Sequence, residues 1–131
     1  MATPYGAQNY FRTQVESASP MELVVLLYDG AVRTADAAHE AMVSGNIPAR
    51  RTAMNKLMAI IAELQNTLDV TRGGRVAEEL DDMYTYMLSR LLKAITEQDA
   101  GPIDEVRRLL ATLADGWREA ALTPAIQGVR P

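Results

Sequence analysis

The sequence predicts an all-α protein: an antiparallel up-down-up-down four-helix bundle over residues 19–122, with an N-terminal arm at 1–18 and a tail at 123–131. Three observations predict it. Apolar residues recur at steps of three and four in four successive stretches of about twenty residues. Each stretch is bounded by residues that cap or break helices. The connecting loops are only a few residues long, which sets consecutive helices side by side and antiparallel.

The first helix begins within "SASPMELVVLLYDGAVR", residues 17–33. So dense an apolar run could be a buried strand, with Asp29-Gly30 as a hairpin turn. Ser19, Pro20 and Glu22 decide otherwise. Ser19 can accept from the unpaired first amides, Pro20 suits the first helical position, and Glu22 completes a capping box. Leu23, Leu27, Gly30, Ala31, Thr34 and Ala38 then share one face, with Val24, Tyr28, Ala35 and Met42 beside them. Gly30 falls in the helix interior, at a cost of about 1 kcal/mol relative to alanine, and is expected to let a neighbouring backbone come close. Ser44-Gly45-Asn46 ends the helix.

Asn46 or Ile47 opens the second helix, with Pro48 in its first turn and Ala53, Leu57, Ile60, Ile61, Leu64 and Leu68 on its inner face. Gly73-Gly74 is expected to break it. The third carries Val76, Leu80, Met83, Tyr84, Met87, Leu91 and Ile95. Its acidic cluster, Glu78, Glu79, Asp81 and Asp82, lies near the N-terminus, where it complements the helix dipole. "QDAGP" stops it. The fourth runs from about Ile103 through Val106, Leu110, Leu113, Trp117 and Ala120 with the seam of a bundle. The tail "TPAIQGVRP" has no period and is expected to be disordered. The arm is too polar for a core of its own, yet it carries Tyr5, Tyr10, Phe11 and Val15.

Composition narrows the function. A chain of 131 residues can bury about two thirds of its unfolded surface in one domain without a metal or disulfide staple. It has no cysteine, which excludes a disulfide framework, a thiolate zinc site and a cysteine nucleophile. The formal net charge of −4 gives no general attraction to a phosphate backbone, so nucleic acid is not an expected partner. The start lacks a basic n-region and apolar stretch, and no later segment is an unbroken membrane span. A cytoplasmic protein with no membrane insertion is expected.

Catalytic sites fare poorly against the inventory. A di-iron bundle needs two Glu-x-x-His pairs, and the single histidine is His39. A histidine phosphotransfer bundle would use one reactive histidine, but Glu40-Ala41-Met42 follow His39 where that motif usually has a lysine and a glycine. Gly73-Gly74 lacks the Lys-Ser/Thr pair and the strand of a phosphate loop. The consecutive carboxylates of the third helix do not converge on one point as a cation site requires. No enzyme activity, metal or cofactor is expected.

Binding remains, and the width of the apolar faces bears on it. At 100° per residue the fourth helix confines its apolar residues to an arc of about 140°, whereas the second and third spread theirs over roughly 160° to 180°. The excess is Met54 and Met58 on the second and Leu88 and Leu92 on the third. Methionine adapts to irregular partners and recurs in grooves that receive amphipathic helices. Ordinary core packing accounts for such width equally well.

Tyr10, Gln14-Val15, Ala18-Ser19-Pro20, Leu23 and Leu27-Tyr28-Asp29-Gly30-Ala31 together resemble the N-terminal signature of the FliS family of flagellar export chaperones. The similarity continues through "ELQNTLD", the Gly-Gly loop, "LDDMYTYMLSRL" and "DGWREA", and covers residues 10–121. Gly116 and the tail beyond Leu122 depart from it. The resemblance implies a helical bundle and a cytoplasmic chaperone that binds the disordered C-terminal segment of flagellin, blocks premature polymerisation and passes the subunit to the flagellar type III export gate. With the apolar excess it gives the candidate partner-binding residues Tyr10, Val15, Met54, Met58, Ile61, Leu68, Tyr84, Leu88 and Leu92. It also places Tyr10 among positions that face the export gate.

Overall fold

The structure, a computed structural model, describes residues 20–122. The Ser19 cap, the arm with Tyr10 and Val15, and the tail at 123–131 lie outside the described residues. Within them the chain forms four helices: α1 (Pro20–Ser44), α2 (Ile47–Asn66), α3 (Val70–Glu97) and α4 (Gly101–Ala121).

The helix ends follow from local chemistry. Gly45, at φ 74°, takes the left-handed position after α1. The Asn46 amide donates to Ala41 O at 3.0 Å and the Gly45 amide to Met42 O at 3.3 Å, which pairs two of α1's last carbonyls. Asn46 then caps α2, its side chain accepting from the Ala49 amide at 3.1 Å. Gln98 closes α3 with φ 52°, and Asp99 Oδ1 accepts from the Gly101 amide at 2.9 Å to start α4.

Two expectations are corrected. α2 ends at Asn66, not at Gly73-Gly74. The Thr67 hydroxyl donates to Leu64 O at 2.6 Å, and Asp69 caps a new turn by accepting from the Arg72 amide at 3.2 Å, so Leu68 lies in the connection. Gly74, with φ 56° and ψ −131°, then kinks α3 one turn after its start. Nor does Gly30 admit a close backbone. A Cβ there would meet Arg33 Nη2 at 3.8 Å and Ile60 Cδ1 at 4.0 Å, which is ordinary side-chain contact.

The helices form a ring in which α1 packs on α2 and α4, and α3 closes against the same two. Asp29 pairs with Arg118, and Asp36 with Arg107 at 3.4 Å, so α1 and α4 run in opposite senses. The same follows for α1 and α2, where Arg50 Nη1 reaches Met42 Sδ and Ile60 faces Gly30. The core joins the alanine face of α1 (Ala31, Ala35, Ala38) to Leu57, Ile61 and Leu64 of α2, Met87 and Leu91 of α3, and Ile103, Val106 and Leu110 of α4. Across the axis the buried hydroxyls of Tyr28 and Tyr84 hydrogen-bond to each other, which satisfies two polar groups that would otherwise be costly to bury.

Candidate partner-binding site

The Tyr28–Tyr84 contact divides the bundle. On one side of it the core is continuous; on the other, α1 begins, α3 is kinked and α4 ends. There an apolar cleft of about 480 Å³ opens, lined by Leu23, Val24 and Leu27 of α1, Leu68 of the α2–α3 connection, Val76, Ala77, Leu80 and Tyr84 of α3, and Trp117 of α4. Gly74 kinks α3 just before Val76, and residues on both sides of the kink, Gly73 and Val76, line the cleft. Leu23 is 37 % exposed and Val76 64 %. The exposed pair Asp69 and Arg72, 3.7 Å apart, stands on the polar rim.

A second groove of about 370 Å³ runs along the other flank of α3, between Val76, Leu80 and Met83 and the Leu113, Gly116 and Trp117 side of α4. Val76, Leu80 and Trp117 line both. The early turns of α3 therefore stand as an apolar ridge between two apolar troughs. Trp117 is half-buried, with its ring 6.4 Å from that of Tyr28. Burial pushes the phenols of Tyr28 and Tyr84 above the ordinary tyrosine range, so both stay protonated and uncharged, Tyr84 at the cleft floor and Tyr28 beneath it in the core. The polar features nearby are rim charges, and the arrangement suits burial of an apolar face rather than bond-making. Among the described residues no group of three or more His, Asp or Glu side chains is placed to hold a metal ion.

The sequence candidates scatter. Met54, Ile61 and Tyr84 are buried in the core; Met54 and Ile61 offer no surface to a partner in this conformation, and Tyr84 reaches one only through the cleft floor. Met58 and Leu88 are half-buried against the core, Leu92 is 54 % exposed on α3, and Leu68 lines the cleft. Tyr10 and Val15 lie outside the described residues. Leu23, Leu27, Val76, Leu80 and Trp117 belong to the apolar periods of their helices in the sequence, which does not mark them as cleft walls. Their place near the ends of their helices was the available signal.

Comparison with known proteins places this bundle in a family. The chain matches the family described as flagellar protein FliS over residues 1–124. The chain belongs to the FliS family. It is 35 % identical to the flagellar secretion chaperone FliS of Salmonella typhimurium, over 99 % of this chain and 100 % of that protein. The flagellar secretion chaperone FliSB of Pseudomonas aeruginosa is 38 % identical, over 79 % of this chain and 82 % of that one. FliS of Escherichia coli is 32 % identical, over 92 % and 93 %. FliS is a family of chaperones and not of enzymes, which sets the phosphotransfer reading of His39 aside. No helix among the described residues is long and apolar enough to cross a membrane.

Proposed function

We propose that this FliS chain is a cytoplasmic export chaperone that binds the C-terminal segment of flagellin, prevents its premature polymerisation and assists its delivery to the flagellar type III export apparatus. The observation that carries the reading is the pair of apolar troughs flanking the kinked start of α3, in a chain of the flagellar secretion chaperone family. A segment that packs as an amphipathic helix in its assembled state exposes an apolar face when free, and such faces associate unless covered. The cleft floored by Tyr84 and edged by Leu68 takes part of that face, and Met58, Leu88 and Leu92 extend the contact along α2 and α3. Met54 and Ile61 support this surface from the core. The arm, with Tyr10 and Val15, covers part of the site when the client is absent and turns to the export gate when displaced, lowering apparent affinity by the fraction of time it blocks the site.

Calorimetric titration with a peptide of the flagellin C-terminal segment, with an N-terminal flagellin peptide as control, tests this. Saturable binding of the C-terminal peptide alone is expected, with more helix by circular dichroism than the two components show separately. Absence of binding to a folded bundle would sink the reading. Leu92→Asp lies on the surface and should weaken binding without lowering the thermal midpoint, whereas removing residues 1–16 should tighten it modestly.

A further inference from the structure

Two features of the trough between α3 and α4 bear on what could fill it. Gly116 occupies the interior of α4, where glycine costs about 1 kcal/mol relative to alanine, and a Cβ there would meet no atom within 4 Å. The α4 wall is thus open at mid-trough. On the opposite wall Glu79 stands beside Leu80, with Asp82 three residues on, and both are exposed. The ion pair of Glu79 with Arg75, at 3.4 Å, is largely solvated and so holds Glu79 only weakly.

The chain leaves α4 close to this trough. α4 ends at Ala121, one turn past Trp117, and Leu122 caps it with 78 % of its surface exposed. "TPAIQGVRP", residues 123–131, follows. Pro124 opposes continuation of the helix and biases Thr123 toward an extended conformation. Ile126 and Val129 are the segment's two large apolar residues, and Arg130 is its one charge.

We propose that residues 123–131 fold back and occupy the α3–α4 trough, with Ile126 and Val129 seated along Val76, Leu80 and Met83 over the gap at Gly116, and Arg130 meeting Glu79 and Asp82. The geometry fits. In a three-residue-per-turn extended helix, which proline favours, Ile126 and Val129 share one side about 9 Å apart. Val76 to Met83 spans about 10 Å of helical rise. Nine extended residues reach about 30 Å, and the distance back along α4 from Leu122 to Leu113 is about 14 Å. The Arg130 side chain is opposite in charge to Glu79 and Asp82 of the wall it would meet. Most of the segment lies beyond residue 124, where the family match ends; the inference concerns one of the two troughs of the flagellin reading, and its test uses no flagellin.

Trp117 is the sole tryptophan and lines the trough, so its fluorescence reports occupancy. The intact chain is compared with a chain stopped after Leu122, with Ile126→Asp and Arg130→Glu in the full chain, and with the stopped chain given the synthetic peptide TPAIQGVRP. The stopped chain and Ile126→Asp should both shift Trp117 emission to longer wavelength and increase its quenching by acrylamide, at unchanged helix content. Arg130→Glu should give a smaller shift in the same direction, and the added peptide should reverse the shift of the stopped chain in a saturable way. Unchanged emission in both the stopped chain and Ile126→Asp overturns the proposal. So does a shift produced by removing residues 1–16 and by neither tail change, which would give the trough to the arm.

Discussion

α1 and α3 face each other across the bundle axis and fill it with opposite kinds of side chain. Beyond the tyrosine that each contributes, Tyr28 and Tyr84, α1 buries Ala31, Ala35, Ala38 and Ala41, whereas α3 buries Met87 and Leu91 together with Ala77 and Ala94. Short side chains let neighbouring helices come near, and long ones hold them away, since interaxial distance follows the residues at the contact. α2 and α4 accordingly approach α1 more closely than they approach α3. The lesson lies in where each helix is vulnerable. α1 contributes closeness and α3 contributes volume, and the kink of α3 lies where the two apolar troughs flank its first turns.

If α3 supplies the volume, removing some of it should have the largest effect. Leu91 is fully buried, and Leu91→Ala should lower stability in urea unfolding by about 2 to 5 kcal/mol through the cavity it leaves. A negligible shift of the midpoint would break the contrast between the two helices.

The hydroxyl contact that links them comes next. Tyr28→Phe leaves the buried Tyr84 hydroxyl without its partner, at a cost of about 1 to 3 kcal/mol. Because burial raises both phenols above their ordinary range, the folded state holds these protons more tightly than the unfolded state. Their contribution is intact below the unfolded phenol value of about 10 and is lost as pH rises beyond it. Thermal midpoints measured upward from neutral pH should fall above that point, and less steeply in Tyr28→Phe.

One glycine of each helix sharpens the comparison, with opposite signs. Gly74 of α3 sits at φ 56° with open space around it, so Gly74→Ala meets no clash and should destabilise through backbone strain alone, by about 1 to 3 kcal/mol. Gly30 of α1 has ordinary helical geometry and room for a methyl group. Gly30→Ala should raise stability by up to about 1 kcal/mol, the smallest effect here, seen as a higher thermal midpoint. A loss at Gly30 would mean that α2 lies closer to α1 than its side chains indicate.

The helices were legible because capping residues and apolar period agreed at Gly45-Asn46, Pro48 and Gln98. They were misread around Leu68, where the apolar period of α2 runs on although Thr67 takes Leu64's carbonyl and Asp69 caps a fresh turn. The candidate site was harder to read for a geometric reason. A helical wheel records the angle of a side chain and not its height along the axis. Leu23, Leu27, Val76 and Trp117 have core angles, but they stand where the opposite helix has bent away or ended. Met54 has a marginal angle and is nonetheless 2 % exposed, at a level where the bundle is complete.

The Asp29–Arg118 pair fixes the beginning of α1 beside the end of α4. Residues 1–19 and 123–131 therefore join the bundle at its cleft end, and the turns at Gly45-Asn46 and Gln98–Ala100 occupy the other. The molecule has a cleft end and a turn end. A bulky probe attached at Leu122 would stand beside the troughs, whereas a probe at Ser44 would leave them open. Surface attachment through those turns would present every copy with its troughs facing outward.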